Sequence, residues 1–368
     1  MLLAACGSTG SSRTVVTGPK LSRLPPPALD GRDRFRTDVY AGTAPGDLSP
    51  VVRADPALVY VPNSMSNTVS VISQRTLKVI RTFPVGELPQ HVTPSHDLRT
   101  LYVDNDVGNT LTPLDPRTGR AGRPIPVEDP YNLYFTPDGR YSIVVAERLM
   151  RLDFRDAQTM HIMHSLSVPM CAGVDHMDFS ADGRYLYASC EFASRMIEVD
   201  LRTQRVTRTL VLDGGRASPQ DVKLAPDGRT LYTADQINSG IWEIDPVSFK
   251  VLGFIHTGAG AHGLYPSRDA RDLYVSNRTA GTISVLNFTT REVVHTWHLP
   301  PPASPDMGGV SVDGHTLWLS GRYNAVVYAI DTRTGHLRAA IPVGLGPHGL
   351  CVWPQPGSYS LGHTGILR

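Results

Sequence analysis

One phrase recurs seven times along the chain, and no other feature restricts the fold as tightly. In register the copies read "LVYVPNSMSNTVSVI" from 58, "LYVDNDVGNTLTPLD" from 101, "SIVVAERLMRLDF" from 142, "LYASCEFASRMIEVD" from 186, "LYTADQINSGIWEID" from 231, "LYVSNRTAGTISVLN" from 273 and "LWLSGRYNAVVYAID" from 317. The aromatic position or its equivalent falls at Tyr60, Tyr102, Ile143, Tyr187, Tyr232, Tyr274 and Trp318, in steps of 42, 41, 44, 45, 42 and 44 residues. Each unit holds three or four short alternating runs, the pattern of a four-stranded blade that cannot bury both faces without neighbours. "TPDGR" (136), "SADGR" (180) and "APDGR" (225) mark tight hairpins, because glycine tolerates positive φ. No helical period competes within the repeats. The expected fold is all-β: a seven-bladed β-propeller of four-stranded antiparallel blades over residues 58 to 354.

Each unit starts at the second strand of its blade, so the first blade lacks an inner strand. "PHGLCVW" (347) repeats the pattern of "AHGLYP" (261) and is expected to supply it, closing the ring with the C-terminal strand. A competing segment, "LSPVVRAD" (48), lies in the N-terminal stretch 36–57, which should then rest at an outer edge or across a rim of the propeller. The tail 355–368 contains "SYSLGHTGILR"; covering a rim, plugging the channel and contacting a partner all remain open for it.

"YVPN", "YVDN" and "YVSN", followed by "TVSVI" or "TISVL", resemble the YVTN-type repeat of exported bacterial and archaeal propellers, YncE-like and surface-layer proteins among them. The resemblance spans 58–353 and is weakest in blade 3. It implies the fold and export, but no particular activity, since many members are binding proteins and fold does not fix function.

Residues 1–6 carry "LAAC", which resembles a lipobox; Cys6 would be the lipidated residue of a truncated lipoprotein signal, and 7–35 has the composition of a flexible tether. The expected place is extracytoplasmic, lipid-anchored to the envelope or secreted. No run of about 18 apolar residues is present to cross a bilayer, so any membrane attachment would be through the lipid alone. With 35 basic and 34 acidic residues there is no broad field for nucleic acid. A small-molecule or protein ligand is expected, on a monomer.

In a propeller, inner strands begin and second strands end on one face, while the Asp-Gly hairpins mark the other. Eleven residues before each aromatic position stand His91, Asn132, His176, Asp221, Gly263 and Met307, preceded by Gln90, Tyr131, Asp175, Gln220, His262 and Asp306; the closing strand adds His348 and Gly349. The second strands end with Asn63, Asn105, Asp106, Glu147, Glu191, Arg278 and Arg322. Polar groups thus gather at one channel mouth, the candidate ligand site. His262, Asp306 and His348 occupy equivalent places on three consecutive blades, with His91 one residue further along on the next. Imidazole and carboxylate converging from rigid strands suit a divalent metal with an open position; water-binding polar residues and an organic-ligand pocket are the competing readings, and no cofactor can be named. Asp175, His176, Asp221, Glu147 and Glu191 could supply a general base, and in composition they resemble the acidic hub of calcium-binding gluconolactonase-like propellers; ion pairing around the rim with Arg278 or Arg322 is the competing reading. Tyr131, Tyr134 and Tyr265 could stack on a flat ligand or fill space. The reading is a binding module, with a metal- or cofactor-dependent enzyme, a lactonase-like hydrolase or a redox propeller, as the alternative. Cys171 and Cys190 should share the top edge of blade 4 and can form a disulfide there, and Cys351 is placed to face the channel.

Overall fold

The structure, a computed structural model, describes residues 38–368; Cys6 and the tether lie outside the described residues. Seven antiparallel sheets form the propeller, each with a four-stranded blade whose strands follow in sequence order except in blade 1, and no α-helix occurs among the described residues. Blade 1 consists of Leu58–Asn63, Thr68–Ser73 and Lys78–Pro84, with Cys351–Trp353 as its inner strand, paired Leu58 to Trp353 and Tyr60 to Cys351. The ring therefore closes through the C-terminal strand, as the repeated phrase predicts. Inner strands of blades 2 to 7 are Pro89–Pro94, Asn132–Phe135, Val174–Phe179, Pro219–Leu224, Ala261–Pro266 and Pro305–Val310. Blade 3, the least regular copy, still forms its four strands.

The apolar cores lie between blades. Tyr134, Ile143 and Phe154 of blade 3 pack against Met177, Leu186 and Ile197 of blade 4, all fully buried. Tyr60 and Trp353 do the same against Val92 and Leu101 of blade 2. Cys351 belongs to this inter-blade cluster and not to the channel wall: it is buried, paired with Tyr60 and packed with Trp353 between blades 1 and 2.

The asparagine of the repeat is explained by the strand that follows it. Asn63 Nδ2 donates to Thr68 Oγ1 and Ser70 Oγ at 3.0 Å, and Asn277 makes the same pair of bonds, also at 3.0 Å, to Thr282 and Ser284. Asn105 does likewise with Thr110 and Thr112. Asn63 and Asn105 were expected to line the mouth; they and Asn277 instead tie second to third strands inside their blades.

On the opposite face, Gly139, Gly183 and Gly228 of the Asp-Gly hairpins have φ of 66°, 71° and 69°. Residues 38–57 run across this lower rim: Val39 N–H donates to the Pro226 carbonyl (2.7 Å), Gly46 N–H to that of Val312 (3.2 Å), and Trp353 Nε1 to Asp55 (3.1 Å). The tail answers the question the sequence left open. Beyond Trp353 the chain re-enters the ring as a hairpin, Ser360–Gly362 and Ile366–Leu367, which extends the blade 3 sheet on its inner side through Gly362 and Tyr134. It plugs the channel.

Candidate metal centre at the hub

Strict alternation would send neighbouring residues of an inner strand to opposite faces. The structure breaks alternation with a bulge at the mouth end of five inner strands: the register shifts between Pro89 and His91, Val174 and Met177, Pro219 and Val222, Ala261 and Leu264, and Pro305 and Gly308. A bulge leaves backbone groups unpaired and re-aims side chains. Second-strand serines fill the gap: Ser189 Oγ accepts from His176 N–H and donates to its carbonyl, both at 3.1 Å, and Ser320 does the same for Met307. Both residues of a bulge can thereby reach the hub, which is why His262 and His176, at non-equivalent positions, share one cluster.

Four imidazoles from blades 2, 1, 6 and 4 surround the axis. Ring centroids are 4.8 Å apart for His91 and His348, 6.3 Å for His348 and His262, 6.0 Å for His262 and His176, and 5.8 Å for His176 and His91. Within this ring the structure brings together His262, Asp306 and His348, with one ligand atom of each lying within 4.8 Å of the others. His262 Nδ1 is 3.2 Å from Asp306 Oδ1, and His348 Nε2 is 3.6 Å from Asp306 Oδ2. Ligand atoms around a tetrahedral ion bonded at about 2.1 Å lie about 3.4 Å apart. Asp306 Oδ2, His262 Nδ1 and His348 Nδ1 are buried without a hydrogen-bond partner.

Burial holds all these imidazoles neutral. His91 is lowered to about 3 by desolvation, against the opposing pull of its bond to the Tyr131 carbonyl. His262 and His348 are pushed well below the usual value by desolvation, and secondarily by the positive charges of Arg278 and Arg322. His91 Nδ1 lies 2.7 Å from the Tyr131 carbonyl, which can only accept; the proton is therefore on Nδ1, and the bare Nε2 lone pair faces the cluster without a partner. Arg278 binds Asp306 Oδ1 at 2.8 and 2.7 Å through Nε and an Nη, orienting the carboxylate and leaving Oδ2 available. Carboxylate and guanidinium cancel, so the donor set is neutral imidazole plus one compensated carboxylate. Such a set suits Zn²⁺ or another imidazole-seeking transition ion, not the oxygen-rich shell calcium needs.

The remaining predicted residues fall into two groups. Tyr131, Glu147, Glu191 and Arg322 are half-buried around the mouth. Glu147 is raised to about 7 by burial and then by Glu191, while Glu191, also raised by burial, is opposed by Gln220 and the two arginines. Asp175, 3.1 Å from His176 Nε2, is pushed well above the carboxylate range by burial and then by both glutamates. The second group is committed to neighbouring strands. Asn132 donates to Tyr134 Oη (3.2 Å) and contacts His176 Nδ1 (3.3 Å). Asp221 accepts from Val222 N–H (2.9 Å), from Lys223 Nζ (3.3 Å) and, across to blade 6, from Leu264 N–H (2.9 Å). Tyr134 and Tyr265 likewise accept from the next blade's Met177 and Gly308 N–H groups. These two tyrosines are girdle bonds between blades, with hydroxyls already engaged.

Sequence reasoning missed one hub residue. His363, at the tip of the tail hairpin, is buried, and its ring centroid is 4.0 Å from that of His91 and 5.5 Å from that of His176. It belongs to no repeat, so no periodicity could point to it; a lone histidine in "LGHTG" was the only signal. Gly349 makes the room: a Cβ there would lie 1.9 Å from His91 Cδ2 and 2.7 Å from His363 Cε1. At the top of blade 4, Cys171 and Cys190 are joined as a disulfide.

Fold and hub together define a seven-bladed propeller whose channel is lined by neutral imidazoles and closed from below. The chain belongs to the YNCE-like β-propeller family, whose profile matches residues 37–356. No curated protein matches it in sequence. Among solved structures it is similar to Kuenenia stuttgartiensis hydrazine synthase, at 19% identity and TM-score 0.67, over 84% of this chain and 100% of that one. It is also similar to the dihydro-heme d1 dehydrogenase NirN, solved in complex with DHE, at 18% identity and TM-score 0.61, over 88% of this chain and 78% of that one. A third likeness is to a candidate 6-phosphogluconolactonase from Bacteroides uniformis, at 16% identity and TM-score 0.62, over 81% of this chain and 99% of that one. At these identities the likeness is one of fold.

Proposed function

We propose that the protein is a binding module whose hub ligand is a divalent transition-metal ion, held by His262, Asp306 and His348 with His91 beside them. The observation that carries this reading is the convergence of one ligand atom each from His262, Asp306 and His348 to within 4.8 Å, on residues that keep a buried polar atom without a hydrogen-bond partner. His262 and His348 are each 3% exposed and the hairpin fills the channel below them, so the space suits an ion better than a flat organic ligand. Three protein ligands leave the shell incomplete, so that a further side chain or a small molecule can complete it. The reading includes an extracytoplasmic module held to a membrane by acylated Cys6; the Cys171–Cys190 bond, which persists in oxidising compartments, supports it.

The test is metal analysis of protein purified without chelator, followed by calorimetric titration of stripped protein with Zn²⁺ and Co²⁺. One ion per chain is expected, with affinity reduced at least about 100-fold in His262→Gln and His348→Gln. A stripped protein that takes up neither ion at the hub overturns the reading. A metal-dependent enzyme is the second reading, favoured by Glu147, a half-buried carboxyl raised to about 7 and so suited to proton transfer near neutrality. A metal-dependent turnover lost in both His348→Gln and Glu147→Gln would make it the better account.

A further inference from the structure

The C-terminal hairpin does more than fill space. It enters from the lower rim, where Ser360 N–H donates to the His96 carbonyl (3.1 Å) and Tyr359 stacks on His96 with centroids 4.8 Å apart. It returns there at Arg368, whose guanidinium meets buried Asp178 at 3.1 Å. Between these anchors the tip turn, His363–Gly365, rests against the inner strands of blades 6, 7 and 1, which carry or adjoin His262, Asp306 and His348, and against that of blade 2, which carries His91. The backbone of the tip thus lies near every strand of the proposed ligand set, with the His363 ring closest to His91 and His176. It presents there a side chain of the same chemistry: His363 is buried, and desolvation, followed by the charges His91 and His176 would carry, pushes it well below its ordinary value, so that it arrives as a neutral imidazole. The closing strand has given up a side chain at Gly349 to let that ring lie beside His91.

We propose that the hairpin is a metal-responsive latch: His363 is a further ligand of the ion held by His262, Asp306 and His348, and ion binding seats the hairpin in the channel. This rests on the metal reading above. Because the ligand is carried on a segment pinned mainly at the rim, part of the ion's binding free energy must appear as stability of the seated hairpin, and loss of His363 must weaken the ion in return.

The experiment uses the full chain, stripped of metal and titrated with Zn²⁺ while hydrogen exchange is followed in residues 358–368; Co²⁺ supplies a visible spectrum sensitive to coordination. The wild type should show slower exchange in the hairpin on adding Zn²⁺. His363→Gln should bind Zn²⁺ about 10- to 100-fold more weakly, show a changed Co²⁺ spectrum and lose the ion-dependent protection. Zn²⁺ binding that His348→Gln abolishes, but that His363→Gln leaves at wild-type strength with the wild-type Co²⁺ spectrum, overturns the latch and spares the metal site. Absence of binding in the wild type removes the metal site, and the latch with it.

Discussion

Two arcs of the hub bury comparable polarity and treat it differently. Around blades 3, 4 and 5, Asn132, Asp178 and Asp221 each reach the next blade: Asp178 accepts from Leu224 N–H at 2.8 Å, as Asp221 does from Leu264 at 2.9 Å. Around blades 6, 7 and 1, His262 Nδ1, Asp306 Oδ2 and His348 Nδ1 are buried without a hydrogen-bond partner, a state that Asp175 and His176 Nε2 on blade 4 share. Buried polar groups with their bonds made are architecture, because they hold neighbouring strands in one register. Buried groups with bonds unmade destabilise the fold unless something absent from the chain completes them. Burial and charge alone would group Asn132, Asp178 and Asp221 with the proposed ligand set; the hydrogen bonds those three make to the next blade separate them.

Acid should separate them most. A histidine whose folded pKa lies below its unfolded value of about 6.5 contributes stability that is complete above 6.5 and is lost as pH falls toward the folded value. His91, lowered to about 3, spans that whole window, and His176, His262, His348 and His363 shift in the same direction. Each contributes up to about 1.4 kcal/mol per pH unit while the folded state refuses its proton. Glu147, Glu191 and Asp175, raised by burial, work in the opposite sense, so the histidine part is read as a difference between proteins: from pH 6.5 towards 4 the urea midpoint of stripped His91→Asn should lose ground less steeply than that of the wild type. Parallel profiles for the two proteins would mean that the His91 imidazole is hydrated and the hub is open.

Next in size is Asp221→Ala, in the bonded arc. It breaks the carboxylate's ion pair with Lys223 and orphans Leu264 N–H, and is expected to cost about 3–5 kcal/mol in chemical denaturation with Zn²⁺ affinity of the surviving folded protein unchanged. Gly349→Ala should follow at about 1–3 kcal/mol, through overpacking against His91 and His363. It should weaken Zn²⁺ as well, since it moves a ring of the cluster. A Gly349→Ala variant as stable as the wild type would show that the two rings have slack.

What the sequence disclosed and what it withheld follow the same division. The period placed all seven blades, the closing strand and the hub positions, because inner-strand residues share a fixed offset from the repeat's aromatic residue; His91, His176, His262, Asp306 and His348 are found by counting. The counting was blind to partners. Asp221 and His262 occupy neighbouring offsets in successive repeats, yet only the folded chain shows a backbone N–H waiting for one and not the other. The bulges that bring adjacent residues to one hub have no sequence mark beyond the serines opposite three of them, Ser189, Ser276 and Ser320. His363 stands outside the repeat, and Asn63 and Asn105 were misplaced because the strand that uses them comes later in the chain.

The smallest expected effect discriminates best. His348→Gln should change stability by less than about 1 kcal/mol in stripped protein, although the residue is buried, because its Nδ1 has no partner and its Nε2 stands 3.6 Å from Asp306, beyond a hydrogen bond. Glutamine preserves most of the volume, so little cavity cost is added. With Zn²⁺ present the same substitution should forfeit the ion-dependent rise in melting temperature that wild type shows, since ligand stabilisation grows with ligand concentration over dissociation constant. Thermal melts of both proteins with and without Zn²⁺ give the four values needed. A large loss in the stripped protein would place His348 among the girdle residues; a loss confined to the loaded protein is the signature of a residue retained for the ion.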